Sequence, residues 1–337
     1  MTDQNLFMPR HTLSVVVPMY NEVESARPML DRVCQSLNDY PHPWELIVVD
    51  DGSTDGTGQT LKSHAATLGA YVRVLQLRRN FRQTAAMQAG IDAARGDVIA
   101  TLDGDLQNDP ADIPKLVARL LCDDLDMVAG WRLKRQDGWI LRKIPSWLAN
   151  RLISQVTGLK FQDLGCSLKV FRTSVLRQIR LYGEMHRFIP AWLSTVTAPS
   201  RMAEEPVRHQ ARQFGQSKYG ISRTVRVLVD LLAIYFFLRF GSRPGHFFGT
   251  IGLAIGSVGV AILGYLGALK LGGSDIGGRP LLWLGFFSLI AGLQFLTTGV
   301  LAEILARVYF DSGQARTYHT LGNATQPVDE AASWHTV

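Results

Sequence analysis

Two aspartates with one glycine between them, Asp103 and Asp105, closely follow the apolar segment 98–102. That segment predicts a buried strand, and Gly104 permits a tight turn at its end. Two carboxylates one residue apart can bind one divalent cation from the same side of a turn, and hard oxygen ligands select Mg²⁺ or Mn²⁺. Gln107 follows two residues later and could add a neutral oxygen ligand or hold a metal-bound water. The spacing therefore predicts a Mg²⁺ or Mn²⁺ site that shares its coordination with substrate phosphates.

A second pair with the same spacing, Asp124 and Asp126, shows that the pattern alone is weak evidence. Chance predicts roughly one such pair in a chain of this composition. Position separates the two pairs, because Asp124 and Asp126 follow a predicted helix rather than an apolar strand. We assign this second pair to the solvated surface.

The elements that position the first pair are apolar strands that alternate with helical stretches along residues 12–102. Such an alternation predicts right-handed crossovers and a mostly parallel α/β sheet. Polar residues follow three of the predicted strands, at 20–22, 50–53 and 103–105. Ligands of open α/β sheets gather at the carboxyl ends of the strands, so these residues are expected around one crevice. The chain contains neither a GxGxxG nor a GxxxxGK motif, which disfavours a dinucleotide or P-loop site.

The composition indicates a folded chain with an apolar portion. The 337 residues carry a formal net charge of +6, 47% of them are hydrophobic and 19% are charged, below the roughly 25% that is usual for soluble domains. This composition excludes a disordered or low-complexity chain. The cysteines Cys34, Cys122 and Cys166 are widely spaced and fit neither a disulfide framework nor a zinc site, so a reducing compartment is expected.

Two uncharged segments, 247–269 and 281–302, predict transmembrane helices. As helices each would be about 33 Å long, enough for a hydrocarbon core of about 30 Å. The glycine-rich segment 270–280 is long enough only for a turn, so the pair predicts a hairpin, with a buried hairpin of a soluble fold as the alternative. More positive charges flank the outer ends of the hairpin than its turn, and the polar segment 1–11 lacks the apolar core of a signal peptide. Both features favour a front domain on the cytoplasmic side.

The segment 221–240 carries Arg223, Arg226 and Asp230 at steps of three and four on an otherwise apolar stretch. One narrow polar stripe predicts a helix that lies in the membrane interface. The alternative is a first helix of the hairpin bundle that does not touch lipid headgroups.

Five motifs precede the hairpin in this order: VVVPMYNE, IVVDDGSTDGT, LRRNFRQTAAMQAGIDAARGDVIATLDGDLQNDP, QDLGCSLKVFR and RQFGQSKY. Together with the two apolar segments they resemble the polyisoprenyl-phosphate glycosyltransferases, which are membrane-attached members of glycosyltransferase family 2, over about residues 12–310. That family includes dolichol-phosphate mannose synthases and bacterial undecaprenyl-phosphate glucosyl and aminoarabinosyl transferases. The resemblance implies a GT-A fold and the metal-dependent, inverting transfer of one sugar from a nucleotide diphosphate to a lipid phosphate.

The resemblance also implies roles for individual residues. Nucleotide binding is implied for Pro18, Tyr20, Glu22, Asp50, Asp51, Gln83 and Asp103. The implied metal ligands are Asp103, Asp105 and Gln107, as the spacing predicts. An alternative for Asp50 and Asp51 is a turn at the end of a strand with side-chain capping.

A cluster of positive charges lies between Arg132 and Arg151 and is opposed only by Asp137. The resemblance implies that Arg132, Arg142 and Ser146 bind the phosphate of the lipid acceptor. Arg142 and Ser146 are four residues apart and could face one phosphate from one helix. The alternative is a solvated face that binds lipid headgroups. Nucleic acid is not expected as a partner, because the adjoining hairpin makes a lipid phosphate the simpler ligand.

Asp163 occupies a position that is described in this family as a catalytic base. A phosphate monoester has a second pKa near 6 and is mostly ionised at pH 7, so it has little need of a base. We therefore expect Asp163 to orient the sugar or the acceptor phosphate. The basic segment with Arg212, Ser217 and Lys218 resembles a mobile flap that closes over donor and metal. A plain basic linker into the membrane is the alternative.

The predicted domains are a polar arm at 1–11, a GT-A domain at 12–215, a flap end with an amphipathic helix at 216–245, the hairpin at 246–310 and a flexible tail at 311–337. The resemblance implies an enzyme of the bacterial inner membrane that takes part in cell-envelope or lipopolysaccharide modification. It also implies a homo-oligomer, with a tetramer as its assembly.

The resemblance of DGDLQNDP to the bacterial undecaprenyl enzymes favours a UDP-sugar donor and undecaprenyl phosphate as acceptor. A GDP-mannose-dependent synthase is the alternative. Two other classes are weighed. A processive polysaccharide synthase would be expected to have a QxxRW motif and more membrane helices. A catalytically silent scaffold would be expected to lose acids at the strand ends, which this chain retains.

Overall fold

The structure is a computed structural model, which describes residues 8–132, 154, 157–210, 235–236, 239–240 and 244–312, with side chains up to residue 305. The chain divides into two compact units. One contains the residues up to Leu231, and the other contains residues 232–315.

Seven strands of the first unit form one sheet. They are β1 (Leu13–Met19), β2 (Trp44–Asp50), β3 (Val72–Gln76), β4 (Val98–Thr101), β5 (Met127–Arg132), β6 (Lys169–Arg172) and β7 (Met202–Val207). The described helices of this unit are α1 (Val23–Ser36), α2 (Thr57–Leu68), α3 (Gln83–Ala93), α4 (Ile113–Cys122), α5 (Thr173–Leu176) and α6 (Ile189–Leu193). The predicted alternation of strands and helices along residues 12–102 is confirmed.

The sheet has the strand order β3-β2-β1-β4-β6-β5-β7. Its neighbouring strands run parallel except for β6, which pairs antiparallel with both β4 and β5. In register, Met19 of β1 lies beside Asp50 of β2, and Val16 of β1 lies beside Thr101 of β4. The carboxyl ends of these three strands therefore meet at one edge. This is a mostly parallel GT-A-like sheet, which confirms the predicted fold class.

Both faces of the sheet are covered, because successive residues of its central strands enter two different apolar clusters. Val15 and Val17 pack in the cluster with helices α1, α2 and α4. Val16 packs in the other cluster, with α3, α5 and α6. A strand with both faces buried has an almost continuous apolar sequence, as β1 and β2 have.

The second unit contains the helices α7 (Pro244–Leu271) and α8 (Pro280–Ser312), which include the two predicted apolar segments. The most apolar 18-residue stretch of each helix has a mean hydropathy of 2.0 in α7 and 1.7 in α8. Only 11% and 17% of these stretches are buried. A core helix of a soluble protein would be largely buried, so these values favour the membrane hairpin over the soluble alternative. The predicted interfacial helix over 221–240 lies outside the described residues, apart from 235–236 and 239–240.

Glycines let the two long helices approach closely. A Cβ atom on Gly252 would lie 2.8 Å from the carbonyl oxygen of Gly292, and one on Gly292 would lie 2.7 Å from the Cα atom of Gly256. Small residues at such a contact allow close backbone packing between membrane helices. These glycines therefore serve the packing of α7 against α8 within one chain. The expected tetramer stays a prediction.

The assignment of Asp126 to the solvated surface is wrong. Its side chain is buried and accepts hydrogen bonds from Nε and Nη2 of Arg201 at 2.8 and 3.0 Å. Arg172 lies on its other side, with 3.9 Å between Nε and the carboxylate. Asp126 directly precedes β5, at the edge of the sheet. Two arginines from distant segments of the chain neutralise its buried charge there. Asp124 is exposed, as predicted.

Candidate active site

The structure brings the turn at 103–105 beside the residues that follow β1. A Cβ atom on Gly104 would lie 3.0 Å from Oε2 of Glu22 and 2.7 Å from Cγ of Met19. No other residue type fits between these groups without displacing them. The carboxylates of Glu22 and of the Asp103–Asp105 pair thus lie at the same edge of the sheet.

The Asp103 carboxylate is held by polar neighbours in a half-buried position. Its Oδ1 accepts a hydrogen bond of 2.7 Å from Nε2 of Gln83, and the Ser167 side chain also hydrogen-bonds to it. Burial, followed by the negative charge of Asp105, raises the pKa of Asp103 to about 6. The positive charges of Lys169 and Arg132 act in the opposite direction. A cation bound by both aspartates would favour their ionised forms, because opposite charges stabilise each other.

The oxygen donors of this turn suit a hard divalent cation. Oδ1 of Asp105 accepts the backbone N–H of Gln107 at 3.1 Å, across Leu106, whose φ of 60° is left-handed. Within the part of the chain that the structure describes, no three His, Cys, Asp or Glu side chains are grouped to hold a metal ion by themselves. Mg²⁺ and Mn²⁺ commonly take one or two protein carboxylates and complete their coordination with water and substrate phosphates. Asp103 and Asp105 fit this mode of binding.

Asp50 and Asp51 hydrogen-bond to the loops that follow β2 and β3, at the same edge of the sheet. Asp50 is fully buried, and its carboxylate accepts the N–H of Ser53 at 3.0 Å and Nε2 of Gln76 at 3.1 Å. Asp51 accepts the N–H of Phe81 at 2.8 Å, and burial raises its pKa. These contacts agree with the capping alternative. The implied contact of either carboxylate with a nucleotide stays a prediction.

The first implied nucleotide-binding residues lie at the end of β1. Pro18 is buried in the strand, whereas the side chain of Tyr20 is 41% exposed. Asn21 between them and α1 has a φ of 51°, and its N–H donates to Oγ of Ser53 at 2.9 Å. Oδ1 of Asn21 in turn accepts the N–H of Thr54 at 2.9 Å. The loops after β1 and β2 are thereby joined into one rigid rim.

Arg132 and Asp163 form a bidentate salt bridge. Nε and Nη2 of Arg132 donate to the two carboxylate oxygens of Asp163 at 2.6 and 2.8 Å, and both side chains are mostly buried. Such a two-pronged pair fixes the plane of the guanidinium group. The sequence implied separate roles for the two residues, and the structure shows that the position of one determines that of the other.

Glu204 is a positioning residue that the sequence analysis missed. Its carboxylate accepts the backbone N–H of Gln162 at 2.7 Å and that of Asp163 at 2.8 Å. It is placed on β7, beside Ala129 of β5. Glu204 therefore holds the loop from which Asp163 reaches Arg132. Its only sequence signal is an acid in the middle of a short strand.

Lys169 is a second residue that the sequence analysis missed. It is the first residue of β6 and only 2% exposed, and its Nζ donates to the carbonyl oxygen of Cys166. Burial lowers the pKa of Lys169, and the carboxylates of Asp163 and Asp103 oppose that shift. The sequence signal that could have revealed Lys169 is a lysine within a short, mostly buried strand. Its charge lies between the two acidic parts of the site.

The other implied site residues lie outside the described part of the chain. They are Arg142 and Ser146 of the acceptor site and Arg212, Ser217 and Lys218 of the flap.

Comparison with known proteins shows which family this chain resembles. The family described as Glycosyl transferase family 2 matches residues 14–180. A dodecaprenyl-phosphate galacturonate synthase of Rhizobium johnstonii is 53% identical over 307 residues, which cover 91% of this chain and 91% of the relative. An undecaprenyl-phosphate 4-deoxy-4-formamido-L-arabinose transferase of Serratia proteamaculans is 33% identical over 305 residues, 90% of this chain and 91% of the relative.

Two solved structures share the fold. The glucosyl-3-phosphoglycerate synthase of Mycobacterium tuberculosis, in complex with Mn²⁺, UDP-glucose and phosphoglyceric acid, has a TM-score of 0.51 and 20% identity, covering 68% of this chain and 79% of that chain. The mannosyl-3-phosphoglycerate synthase of Rubrobacter xylanophilus has a TM-score of 0.52 and 16% identity, covering 69% of this chain and 80% of that chain.

The contacts of Glu204 predict a local effect of its replacement. In Glu204→Gln an NH2 group, which cannot accept, replaces one of the two accepting oxygens, so the N–H of Gln162 or of Asp163 loses its bond to this side chain. Loss of such a buried hydrogen bond costs about 1 to 3 kcal/mol. We expect the backbone amides of these two residues to exchange with deuterium at least about tenfold faster, as hydrogen-exchange mass spectrometry of the full chain would measure.

Glu205→Gln is the matched control, because Glu205 is next on the same strand but pairs with Lys115 and Arg119. It should leave exchange at Gln162 and Asp163 unchanged. Equal exchange rates in wild type and Glu204→Gln would contradict the positioning role of Glu204.

Proposed function

The chain belongs to the polyisoprenyl-phosphate glycosyltransferases of glycosyltransferase family 2, and we propose that it transfers one galacturonic acid residue from a UDP-sugar to a polyprenyl phosphate. The observation that carries this proposal is the 53% identity to a dodecaprenyl-phosphate galacturonate synthase across 91% of both chains. The relatives that act on an aminoarabinose derivative are only 33 to 34% identical. A formamidoarabinose donor is therefore the second candidate.

Asp103 and Asp105 hold a Mg²⁺ or Mn²⁺ ion together with the donor diphosphate in this proposal. The ion would neutralise negative charge that builds up on the departing nucleoside diphosphate. Gln83 fixes the Asp103 carboxylate through its 2.7 Å hydrogen bond, so that this ligand is placed before the substrate arrives. Glu22, beside the same turn, and exposed Tyr20 border the space for the nucleotide.

Asp163 orients Arg132 rather than removing a proton in this proposal. Both of its oxygens accept from one guanidinium group, and a carboxylate engaged in this way serves positioning. The acceptor phosphate is mostly a dianion at pH 7 and can attack the sugar directly. Arg132, with Arg142 and Ser146, binds this phosphate, which attacks from the face opposite the leaving group and inverts the anomeric centre. The flap residues Arg212, Ser217 and Lys218 close over the donor.

The apolar hairpin of α7 and α8 anchors the enzyme in a membrane in this proposal. Their length and hydropathy support a membrane location. The catalytic unit lies on the cytoplasmic side of a bacterial inner membrane, where a nucleotide sugar and undecaprenyl or dodecaprenyl phosphate are both accessible. A homo-oligomer, tetrameric by resemblance, is part of the same proposal.

A transfer assay tests the metal and lipid parts of this function. Membranes that contain the full chain, supplied with labelled UDP-galacturonate, Mn²⁺ and undecaprenyl phosphate, should yield one labelled sugar per organic-extractable lipid. Asp105→Ala should lower this transfer by at least about 1000-fold, because the metal loses a charged ligand, while unfolding temperature and membrane association stay near wild type. Asp124→Ala removes an exposed aspartate of the other Asp-x-Asp pair and should retain wild-type turnover.

Each result of this assay is decisive. Near-wild-type turnover of Asp105→Ala would contradict the metal assignment. Transfer only from a UDP-formamidoarabinose or from GDP-mannose would replace the proposed sugar. Long polymers would indicate a processive synthase, and lack of transfer from any donor would indicate a scaffold.

The role of Asp163 predicts a flat pH profile. Since the second pKa of the acceptor phosphate is about 6, kcat should stay constant from about pH 7 to 9. Asp163→Asn should nevertheless lower kcat by about 100-fold, because its amide nitrogen cannot accept one of the two hydrogen bonds that Arg132 donates. A large solvent deuterium isotope effect on kcat in wild type that disappears in Asp163→Asn would instead indicate proton abstraction by Asp163.

A further inference from the structure

Arg82 has a backbone conformation that glycine adopts far more readily than any other residue. It precedes α3, with a φ of 76° and a ψ of 161°. The other described non-glycine residues with positive φ are Asn21, Leu106 and Asp124, whose φ values of 49 to 60° lie in the ordinary left-handed region. Strained residues of this kind persist where the surrounding structure holds them, and they cluster at ligand sites. An arginine at such a position therefore points to a function of its side chain.

The loop around Arg82 is held from two sides. The buried carboxylate of Asp51 accepts the backbone N–H groups of both Phe81 and Arg82. A Cβ atom on Gly52 would lie 2.4 Å from the backbone carbon of Arg79, so the loop packs tightly against the end of β2. These contacts fix the backbone of Arg82 independently of its side chain.

Arg82 is connected to the proposed metal site through the next residue of the chain. Its neighbour Gln83 bonds directly to Asp103. Arg82 is exposed and lines a cavity of about 200 Å³ together with Thr84, Tyr182 and Glu184. Glu184 is already paired with Arg187, with 3.0 Å between Oε2 and Nη2.

The positive side chains of the site and of the loop before α3 differ in whether other groups already engage them. Lys169 is buried against the Cys166 carbonyl, and Arg132 is paired with Asp163. The guanidinium carbon of Arg79 lies 4.4 Å above the ring of Phe81. Across the described ranges, the guanidinium of Arg82 makes no hydrogen bond or ion pair. It is thus placed to bind an anion that arrives with the substrate.

We infer that Arg82 binds the carboxylate of an acidic donor sugar and so selects galacturonic acid over neutral hexoses, an inference that rests on the proposed function. Galacturonic acid differs from galactose by a carboxylate at C6, and a guanidinium group binds a carboxylate with two parallel hydrogen bonds. The strain at Arg82 is then retained because it aims a positive charge at this group. Glycine at the same position would relieve the strain and lose the selection.

Donor binding by the full chain in detergent with Mn²⁺ tests this inference. UDP-galacturonate, UDP-galactose and UDP are the probes, and isothermal titration measures their Kd values. Wild type should bind UDP-galacturonate at least about tenfold more tightly than UDP-galactose. Arg82→Gly should lose this difference, retain its affinity for UDP within about twofold and unfold at a higher temperature, because glycine adopts φ 76° without strain.

Arg79→Gln is the matched control, since it removes the same charge from the same loop and should keep wild-type selectivity. Arg82→Lys should retain part of it. If Arg82→Gly still prefers UDP-galacturonate tenfold, or if it loses affinity for UDP by the same factor, the assignment of Arg82 to the sugar carboxylate is overturned. If wild type itself shows no preference for the uronate, the proposed sugar fails, whatever the variants do.

Discussion

The burial of the Asp103 carboxylate one residue from Asp105, at the end of β4, is the constraint on which this site depends. Asp103 and Asp105 are one residue apart, and Glu22 reaches the same turn. Burial and the charge of Asp105 raise the pKa of Asp103 to about 6, well above that of a free aspartate. Positive charge close to these carboxylates favours their ionised forms. The fold supplies Lys169 and Arg132 from within, and a divalent cation with its bound donor is proposed to supply the rest.

The second requirement of the site is that its charged groups hold fixed positions. Asp50 and Asp51 are buried beneath the rim, where they bind the loops that follow β2 and β3. On the other side of the crevice, Glu204 binds the backbone at 162–163, and Asp163 in turn fixes the guanidinium of Arg132. Several acids of this site thus position other residues, because a preorganised site needs no rearrangement during the reaction.

The sequence predicts those parts of the molecule that depend on local pattern. Apolar runs and polar strand ends are sufficient to locate β1, α1 and β2 and to predict a mostly parallel sheet. Contacts between distant segments are not readable in this way. Glu204 acts on a residue 41 positions away, and Asp126 is buried because arginines from β6 and from a turn before β7 approach it. The positive φ of Arg82 likewise depends on Asp51, which no local pattern reveals.

The proposed mechanism requires that Asp103 and Asp105 bind one divalent cation together with the donor diphosphate. Electron paramagnetic resonance titration of the full chain with Mn²⁺, in the presence and absence of UDP, measures this directly. We expect one Mn²⁺ per chain, bound at least about tenfold more tightly with UDP, and loss of that site in Asp103→Asn but not in Asp124→Asn. Equal Mn²⁺ binding by wild type and Asp103→Asn in the presence of UDP would contradict this mechanism.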